Sequence, residues 1–515
     1  MEGAREDGQL LRKKHNIDEE VDSVDITEHS KKRDFTGNLA MAILACILGS
    51  SFQFGYNTGI VNSPAKVIKS FYNETYMNKT GDIMSNNTLT MLWAITVSIF
   101  AVGGMIGGFS AGYWANRFGR RGALLRNNVL AVIGACVMFS SKYVRSYELL
   151  IAGRFIIGLN AGINTGIAPL YLSEIAPLSL RGFCGTFNQL AICSGVMTSQ
   201  IVGLSYVLGT DDRWQFAVGF SVIPVIFQLC ALSCCPESPR YLYLTKDEVD
   251  DAEIALQWLR KSVDVSDEID EMASEKLAQS KLKKFSFGDL LRDPSLRAPL
   301  IISLVMQLSN QFSGINAVVY YSTSIFENAG LPSSLAQVAT VITGAVNVCM
   351  TFVSALIMDR AGRRSLHLIG LGGMFVGSYI LALGLIFHND YGWLKYVCII
   401  SVIVYIIFFA SGPGSIPWFF VAELFAQGPR TAAVSIAVLV NWFSNFIIGL
   451  FFPILQNVSN QYSFIPFVVL LAVFWLYTLL KVPETKGKTI EEITALFQEK
   501  SVNTSINYQS LTINT

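Results

Sequence analysis

Gln307, Ser309, Asn310, Gln311, Ser313 and Asn316 lie within ten positions of one another, with Gly314 among them. Their amides and hydroxyls donate and accept hydrogen bonds but carry no charge. Such a set suits the holding of a polar, uncharged partner, and it lacks the nucleophile and base that bond-making chemistry needs. It sits in a 29-residue uncharged run, 298–326, between Arg297 and Glu327. That run is long enough to cross a bilayer. Polar groups in hydrocarbon are costly unless satisfied, so this stretch demands a neighbouring helix, water or a polar ligand. Interhelical packing explains a single amide. A cluster this dense, ending in Tyr320 and Tyr321, reads as the wall of a wet cavity.

The elements that position it follow from composition. Of 515 residues, 52% are hydrophobic and 15% charged, against about 25% charged in soluble proteins. With a mean hydropathy of +0.44, the chain reads as an all-α polytopic membrane protein. Hydropathy predicts twelve spans: 38–61, 92–115, 123–141, 147–170, 184–207 and 214–235, then 298–325, 334–358, 365–387, 394–421, 431–455 and 463–480. A turn at 456–460 separates the last two. The organisation expected is an N-terminal tail (1–36), a six-helix half (37–235), a linker (236–297), a second six-helix half (298–481) and a C-terminal tail (482–515). Apolar residues such as Leu256, Leu259, Ile269 and Met272, set among the linker's charges, predict short amphipathic helices at the membrane surface. The charged N-terminal tail lacks the apolar core of a cleavable signal peptide.

Net charge is zero, with 38 basic and 38 acidic residues, so nothing points to nucleic acid. Four scattered histidines predict no metal site, and nine cysteines, mostly in apolar runs, read as small buried hydrophobes. Loop arginines and lysines concentrate on one side, which places both termini in the cytoplasm. The loop between spans 1 and 2 then lies outside. It carries three glycosylation sequons, at Asn73, Asn78 and Asn86.

The two halves echo each other. Asn116-Arg117-Phe118-Gly119-Arg120-Arg121 returns 243 positions later as Asp359-Arg360-Ala361-Gly362-Arg363-Arg364. Glu174 with Arg181 returns as Glu423 with Arg430, and Pro236-Glu237-Ser238-Pro239-Arg240 as Pro483-Glu484-Thr485-Lys486-Gly487. Two parallel, pseudo-symmetric halves with a midplane site between them are implied. Arginine clusters alone fix topology. The reuse of glutamate beside them favours a cytoplasmic gate in which Glu174 and Glu423 pair with the arginine clusters of the neighbouring loops, Arg117, Arg120, Arg121 and Arg126 in the first half and Arg360, Arg363 and Arg364 in the second.

These motifs, with Gly55-Tyr56-Asn57-Thr58-Gly59, Gly153-Arg154-Phe155, Gln307-Leu308-Ser309 and Gly412-Pro413-Gly414-Ser415-Ile416-Pro417-Trp418, resemble the sugar porter branch of the major facilitator superfamily, and specifically the animal facilitative glucose transporters. The resemblance runs from about Phe35 to Glu491. It implies the major facilitator fold, no cofactor, and a hexose bound between the halves by Gln189, Gln307, Asn310, Gln311, Asn316, Asn347, Trp418, Asn441 and Trp442. Amides match hydroxyls and an indole covers the ring face of such a ligand. Gating is expected at Tyr320, Tyr321, Gly412, Pro413 and Pro417, with Arg154, Glu237, Arg240 and the charges of the repeat. Asn310 and Ala410 depart from the glucose pattern, where glutamine and glutamate are usual.

The reading is a D-glucose uniporter of the plasma membrane. Proton-coupled relatives carry an acid where this chain has Asn57, and a titratable residue inside a membrane is otherwise rare. A fructose-preferring facilitator, a proton-coupled symporter and a sugar sensor are the alternatives. Sensors usually have long tails, and only about 25 residues follow Glu491 here. No enzyme is expected. The partners are a hexose and the bilayer, with homo-oligomerisation left open.

Overall fold

The computed structural model describes residues 35–280, 287–488 and positions 492, 493, 495 and 497. The tail residues before 35, and those of 489–515 outside these positions, lie outside the description. Twelve membrane-crossing segments follow one another. The first six are α1 (Gly37–Gly59), α3 (Asn86–Phe118), α4 (Arg120–Val144), α5 (Tyr147–Ile175), α6 (Arg181–Val202) and α7 (Trp214–Ser233), with α2 (Ala65–Thr80) inserted after α1. The linker forms α8 (Val249–Arg260), α9 (Ser266–Ser280) and α10 (Phe287–Arg292). The last six are α11 with α12 (Pro294–Phe312, Ile315–Asn328), α13 (Ser333–Ala361), α14 (Arg363–Phe387), α15 with α16 (Leu394–Ser411, Ile416–Leu424), α17 (Gln427–Ser459) and α18 (Ile465–Lys481). Among the described residues, nine segments are long and apolar enough to cross a membrane. α6, the α11–α12 pair and the shorter α18 complete the twelve.

The spans are hydrophobic on faces that a soluble protein would bury. Ile106, Phe109, Val129, Ile133, Phe352, Leu356, Ile369 and Val376 are all about half exposed on the bundle's outside. Hydrocarbon, not water, is the medium that such a surface fits. Inside, α3 packs on α17 and α6 on α13, and these pairings join the two halves.

Three expectations are corrected. The stretch after span 1 is a helix, α2, rather than a loop; it closes on Gly81, which accepts the left-handed conformation of a helix C-cap. The seventh span is two helices rather than one. Gly314 has φ +98°, which no L residue adopts comfortably, and the chain restarts as α12 there. The turn expected at 456–460 starts four residues late, because α17 runs on to Ser459 despite Pro453. The tenth span breaks at Gly412–Ser415, where the sequence shows its cluster of helix breakers.

Candidate functional site

The amides of α11 meet α16 and α17 in one connected web. Asn441 Nδ2 donates to Gln307 Oε1 at 2.8 Å and to Asn310 Oδ1 at 3.4 Å. Asn441 Oδ1 accepts from Gln311 Nε2 at 2.9 Å, and Gln311 Oε1 accepts from Asn316. Gln307 Nε2 reaches the Pro417 carbonyl at 3.2 Å, and Asn310 Nδ2 the Pro413 carbonyl at 2.7 Å. Pro417, in the first turn of α16, has no N–H to give, which leaves the Pro413 carbonyl four residues earlier free for Asn310. All five amide residues are buried. Each holds hydrogen-bonding capacity that a polyol can take over group by group. On the far side of α11, Ser309 Oγ lies 3.2 Å from His367 Nε2.

The other expected binding residues stand apart from this web. Gln189 Nε2 lies 3.7 Å from Cys193 Sγ, whose sulfur meets Thr351 Oγ1 across the halves at 3.4 Å. Asn347 is half-buried on α13, and Trp418 is 37% exposed on α16. Trp442 is buried against Phe54 and Phe100 of the first half, and its indole N–H has no partner. A Cβ on Gly104 would lie 2.4 Å from that ring, so α3 admits the indole only through this glycine.

Tyr320 and Tyr321 fix α12 onto α17. Their hydroxyls donate to Asn445 Oδ1 at 2.9 Å and to the Gly449 carbonyl at 2.8 Å. Arg154 is buried two turns into α5, where Nη1 donates to the Asn57 carbonyl at 2.6 Å and the guanidinium covers Phe100.

At the arginine-rich end, the repeated motifs build the same device twice. Arg120 Nε and Nη2 form a two-bond pair with Glu174, both at 2.8 Å; Arg363 Nε meets Glu423 at 3.2 Å. The Ser238 hydroxyl donates to Glu174, and Thr485 Oγ1 to Glu423 Oε2 at 2.5 Å. Glu237 accepts the backbone N–H groups of 120, 121 and 122, and Glu484 those of 363, 364 and 365. Gly119 (φ +79°) and Gly362 (φ +87°) turn the chain so that each carboxylate caps the next helix. A Cβ on Gly119 would stand 2.4 Å from Glu237 Oε2.

Within the two loop clusters the glutamates' partners are therefore Arg120 and Arg363, and not Arg117, Arg121 or Arg364. Arg117 is exposed. Arg121 and Arg364 bind backbone carbonyls that end α7 and α18, at 3.0 Å from Leu232 and 2.6 Å from Leu479. The side chain of Arg360 lies outside the description. Arg181 is 3.9 Å from Glu271, Arg240 pairs with Glu271 at 2.7 Å and with Glu275, and Arg430 binds the Phe425 carbonyl at 3.1 Å. The Arg120–Glu174 and Arg363–Glu423 pairs lie within one half each.

Among the described residues, the polar ties between halves other than Cys193–Thr351 gather at the opposite end, which bears the sequons. Asn62 Nδ2 donates to the Val319 carbonyl and to Ser322 Oγ, each at 2.7 Å, and Asn62 Oδ1 accepts from the Thr323 N–H. Gln337 Oε1 accepts from Ser205, and its Nε2 donates to the Ser63 carbonyl. Lys66 and Glu327 pair at 2.7 Å, while Asn457 bonds Asn86 and Asn87. Sequence reasoning passed over Asn62, Gln337 and Lys66. Asn62 lay five residues beyond Asn57 at a span end, the one signal available. Of the sequon asparagines, Asn78 and Asn86 are exposed and Asn73 is half-buried.

Among the described residues, no three or more His, Cys, Asp or Glu are grouped to hold a metal. A cavity of about 470 Å³ opens at the sequon end above Tyr320 and Tyr321.

Comparison with known proteins agrees with this architecture. Residues 41–497 match the family model "Sugar (and other) transporter". The chain is 48% identical over 463 residues to facilitated glucose transporter member 3 of solute carrier family 2 from Ovis aries, spanning 90% of this chain and 93% of that one. It is 46% identical over 470 residues to member 1 from Gallus gallus, spanning 91% and 95%. Among solved structures it is similar to the xylose transporter XylE from E. coli in a partially occluded inward open conformation. That likeness has a TM-score of 0.73 at 26% identity and covers 88% of this chain and all of that one.

Proposed function

This chain belongs to the sugar transporter family, in the solute carrier family 2 branch, and from that premise we propose that it is a uniporter carrying D-glucose across the plasma membrane by alternating access. The observation that carries the reading is the amide web of Gln307, Asn310, Gln311, Asn316 and Asn441. A hexose presents several hydroxyls, each donor and acceptor, and this web offers matched groups without a charge to desolvate. A site so built rejects analogues that lack a hydroxyl, because its own amides are then left unpaired. Gln189, Asn347 and Trp418 complete the site from the neighbouring helices. Trp442 acts from behind, where its packing across the halves makes it sensitive to their separation.

Arg154 and Asn57 support uniport. The guanidinium binds the Asn57 backbone carbonyl, and the side chain at position 57 is an amide with its Oδ1 unpartnered. No proton is taken up there. Both termini are cytoplasmic on this reading, and the sequon end is extracellular. The ties through Asn62, Gln337 and Asn457 then close the outer side, so the site faces the cytoplasm. The Arg120–Glu174 and Arg363–Glu423 pairs brace each half at the inner side while the two rock.

Labelled-hexose counterflow in liposomes tests this, comparing D-glucose, fructose, galactose and L-glucose. D-glucose is expected to exchange, L-glucose to fail, and a collapsed proton gradient to change nothing. Gln311→Ala is expected to impair exchange; normal D-glucose counterflow in that variant would remove the web from the site. Fructose preference is the second reading, favoured because Asn310 is a short amide held on the Pro413 carbonyl where the family pattern has glutamine. Faster fructose than glucose exchange would establish it.

A further inference from the structure

The cavity at the sequon end lies outside the amide web and above the two tyrosines that close it off. Its volume, about 470 Å³, falls within the range of roughly 300–1,000 Å³ typical of small-molecule sites. Its walls come from both halves: Asn62, Lys66 and Lys69 from the first, Glu327, Gln337 and Asn457 from the second. Most of the lining is uncharged and polar, with the Trp93 ring below. Lys66 is engaged by Glu327. Lys69, one turn further along α2, is half-buried with its ammonium 5.6 Å from the Trp93 ring centroid. Two lysines against one glutamate leave the cavity with one positive charge in excess.

We propose that this cavity is a second ligand site, for a monosaccharide acid such as a hexuronate, and that a ligand bound there holds the outer side closed. The carboxylate meets Lys69, and the hydroxyls meet the surrounding amides and hydroxyl groups. Charge complementarity selects the acid over the neutral sugar, since a half-buried ammonium is incompletely solvated until an anion joins it. Burial lowers the Lys69 pKa, an effect that Glu327 partly opposes, in keeping with an ammonium short of compensation. Because the walls belong to both halves, separating the halves dismantles the site. A ligand that binds one state alone shifts the equilibrium toward it. An extracellular acid would therefore slow the return of the carrier to its outward-facing form.

The proposal rests on the carrier reading for its transport readout only, so binding is measured separately. Purified full-length protein is heated with sodium D-glucuronate, its uncharged methyl ester, or D-glucose. In parallel, intact cells expressing the protein are loaded with labelled D-glucose and efflux is timed with glucuronate outside, which does not cross the membrane unaided. Glucuronate is expected to raise the melting temperature and to lower maximal efflux about five-fold without changing the internal KM. The methyl ester should need about ten-fold higher concentration for the same shift. Lys69→Gln is expected to lose both effects while keeping efflux in their absence, and Lys69→Arg to retain them. No melting shift with wild-type protein would overturn the site. An equal shift in Lys69→Gln, or an equal effect of the ester, would overturn the assignment of the anion. A melting shift that depends on Lys69 in a protein that carries no hexose would leave the site standing and remove the carrier reading.

Discussion

Asn441 is the residue on which the amide web turns, since it touches Gln307, Asn310 and Gln311 at once. Asn441→Ala leaves three buried amides short of a partner. An unsatisfied buried group costs about 1–3 kcal/mol, so KM for D-glucose is expected to rise roughly ten-fold or more. Initial-rate uptake measures this, and an unchanged KM would detach Asn441 from the site. Most of the web was legible in the sequence, because six uncharged polar groups in a membrane span stand out against any apolar background. Asn441 came only through the family resemblance, because it lies 130 positions from Gln311 and nothing local links them. Arg120 shows the same limit. Arg117, Arg120 and Arg121 are equivalent by composition, and only the turn at Gly119 decides which of them faces Glu174.

At the scale of the element, the paired ends of the two halves make a direct comparison. Arg120→Gln removes both bonds to a largely buried carboxylate and leaves it without a counter-charge, held by the Ser238 hydroxyl alone. Breaking such a pair by removing one partner costs about 3–5 kcal/mol, so the melting temperature and transport should both fall. Arg117→Gln, at an exposed site, should change neither. Equal losses in the two variants would contradict Arg120 as the partner of Glu174. Helix breaks divided into those the sequence announces and those it hides. The tenth span carries two prolines and two glycines within six residues and breaks where they stand. The seventh breaks at a lone glycine, which looks no different from a tolerated helical one until its φ is known. α2 was read as a loop because it is polar, and polar stretches between apolar spans carry no hydropathy signal of their own.

At the scale of the whole molecule, acid and glycan probe the two ends. Burial pulls the Glu484 carboxyl up, but backbone N–H donors from 486, 364, 363 and 365 outweigh it and hold its pKa below the usual carboxylate value. A lowered pKa means stability that is full above the unfolded value of about 4.3 and is lost as pH falls through the folded one. Glu484→Gln is therefore expected to lower the melting temperature at neutral pH and to flatten its decline in acid; parallel melting curves for the two proteins across that range would refute the assignment. At the other end, Asn86 is held by Asn457 and Asn73 is half-buried, while Asn78 stands exposed on the last turns of α2. Asn78→Gln is expected to abolish the mobility shift on enzymatic deglycosylation, and a shift that persists would move the glycan to another sequon.

The twin devices at the arginine-rich end have one more consequence. Arg120, Glu174, Glu237 and Ser238 all precede residue 281, and Arg363, Glu423, Glu484 and Thr485 all follow residue 286. Among the described residues, the bonds named above for those corners are each made inside a single stretch of chain, and α10 already packs with α11 and α17. Peptide continuity between 280 and 287 carries none of that fastening. Two separately translated polypeptides, cut there and co-expressed, should each fold their own corner and then find each other along α3–α17 and α6–α13, restoring a working carrier from two genes.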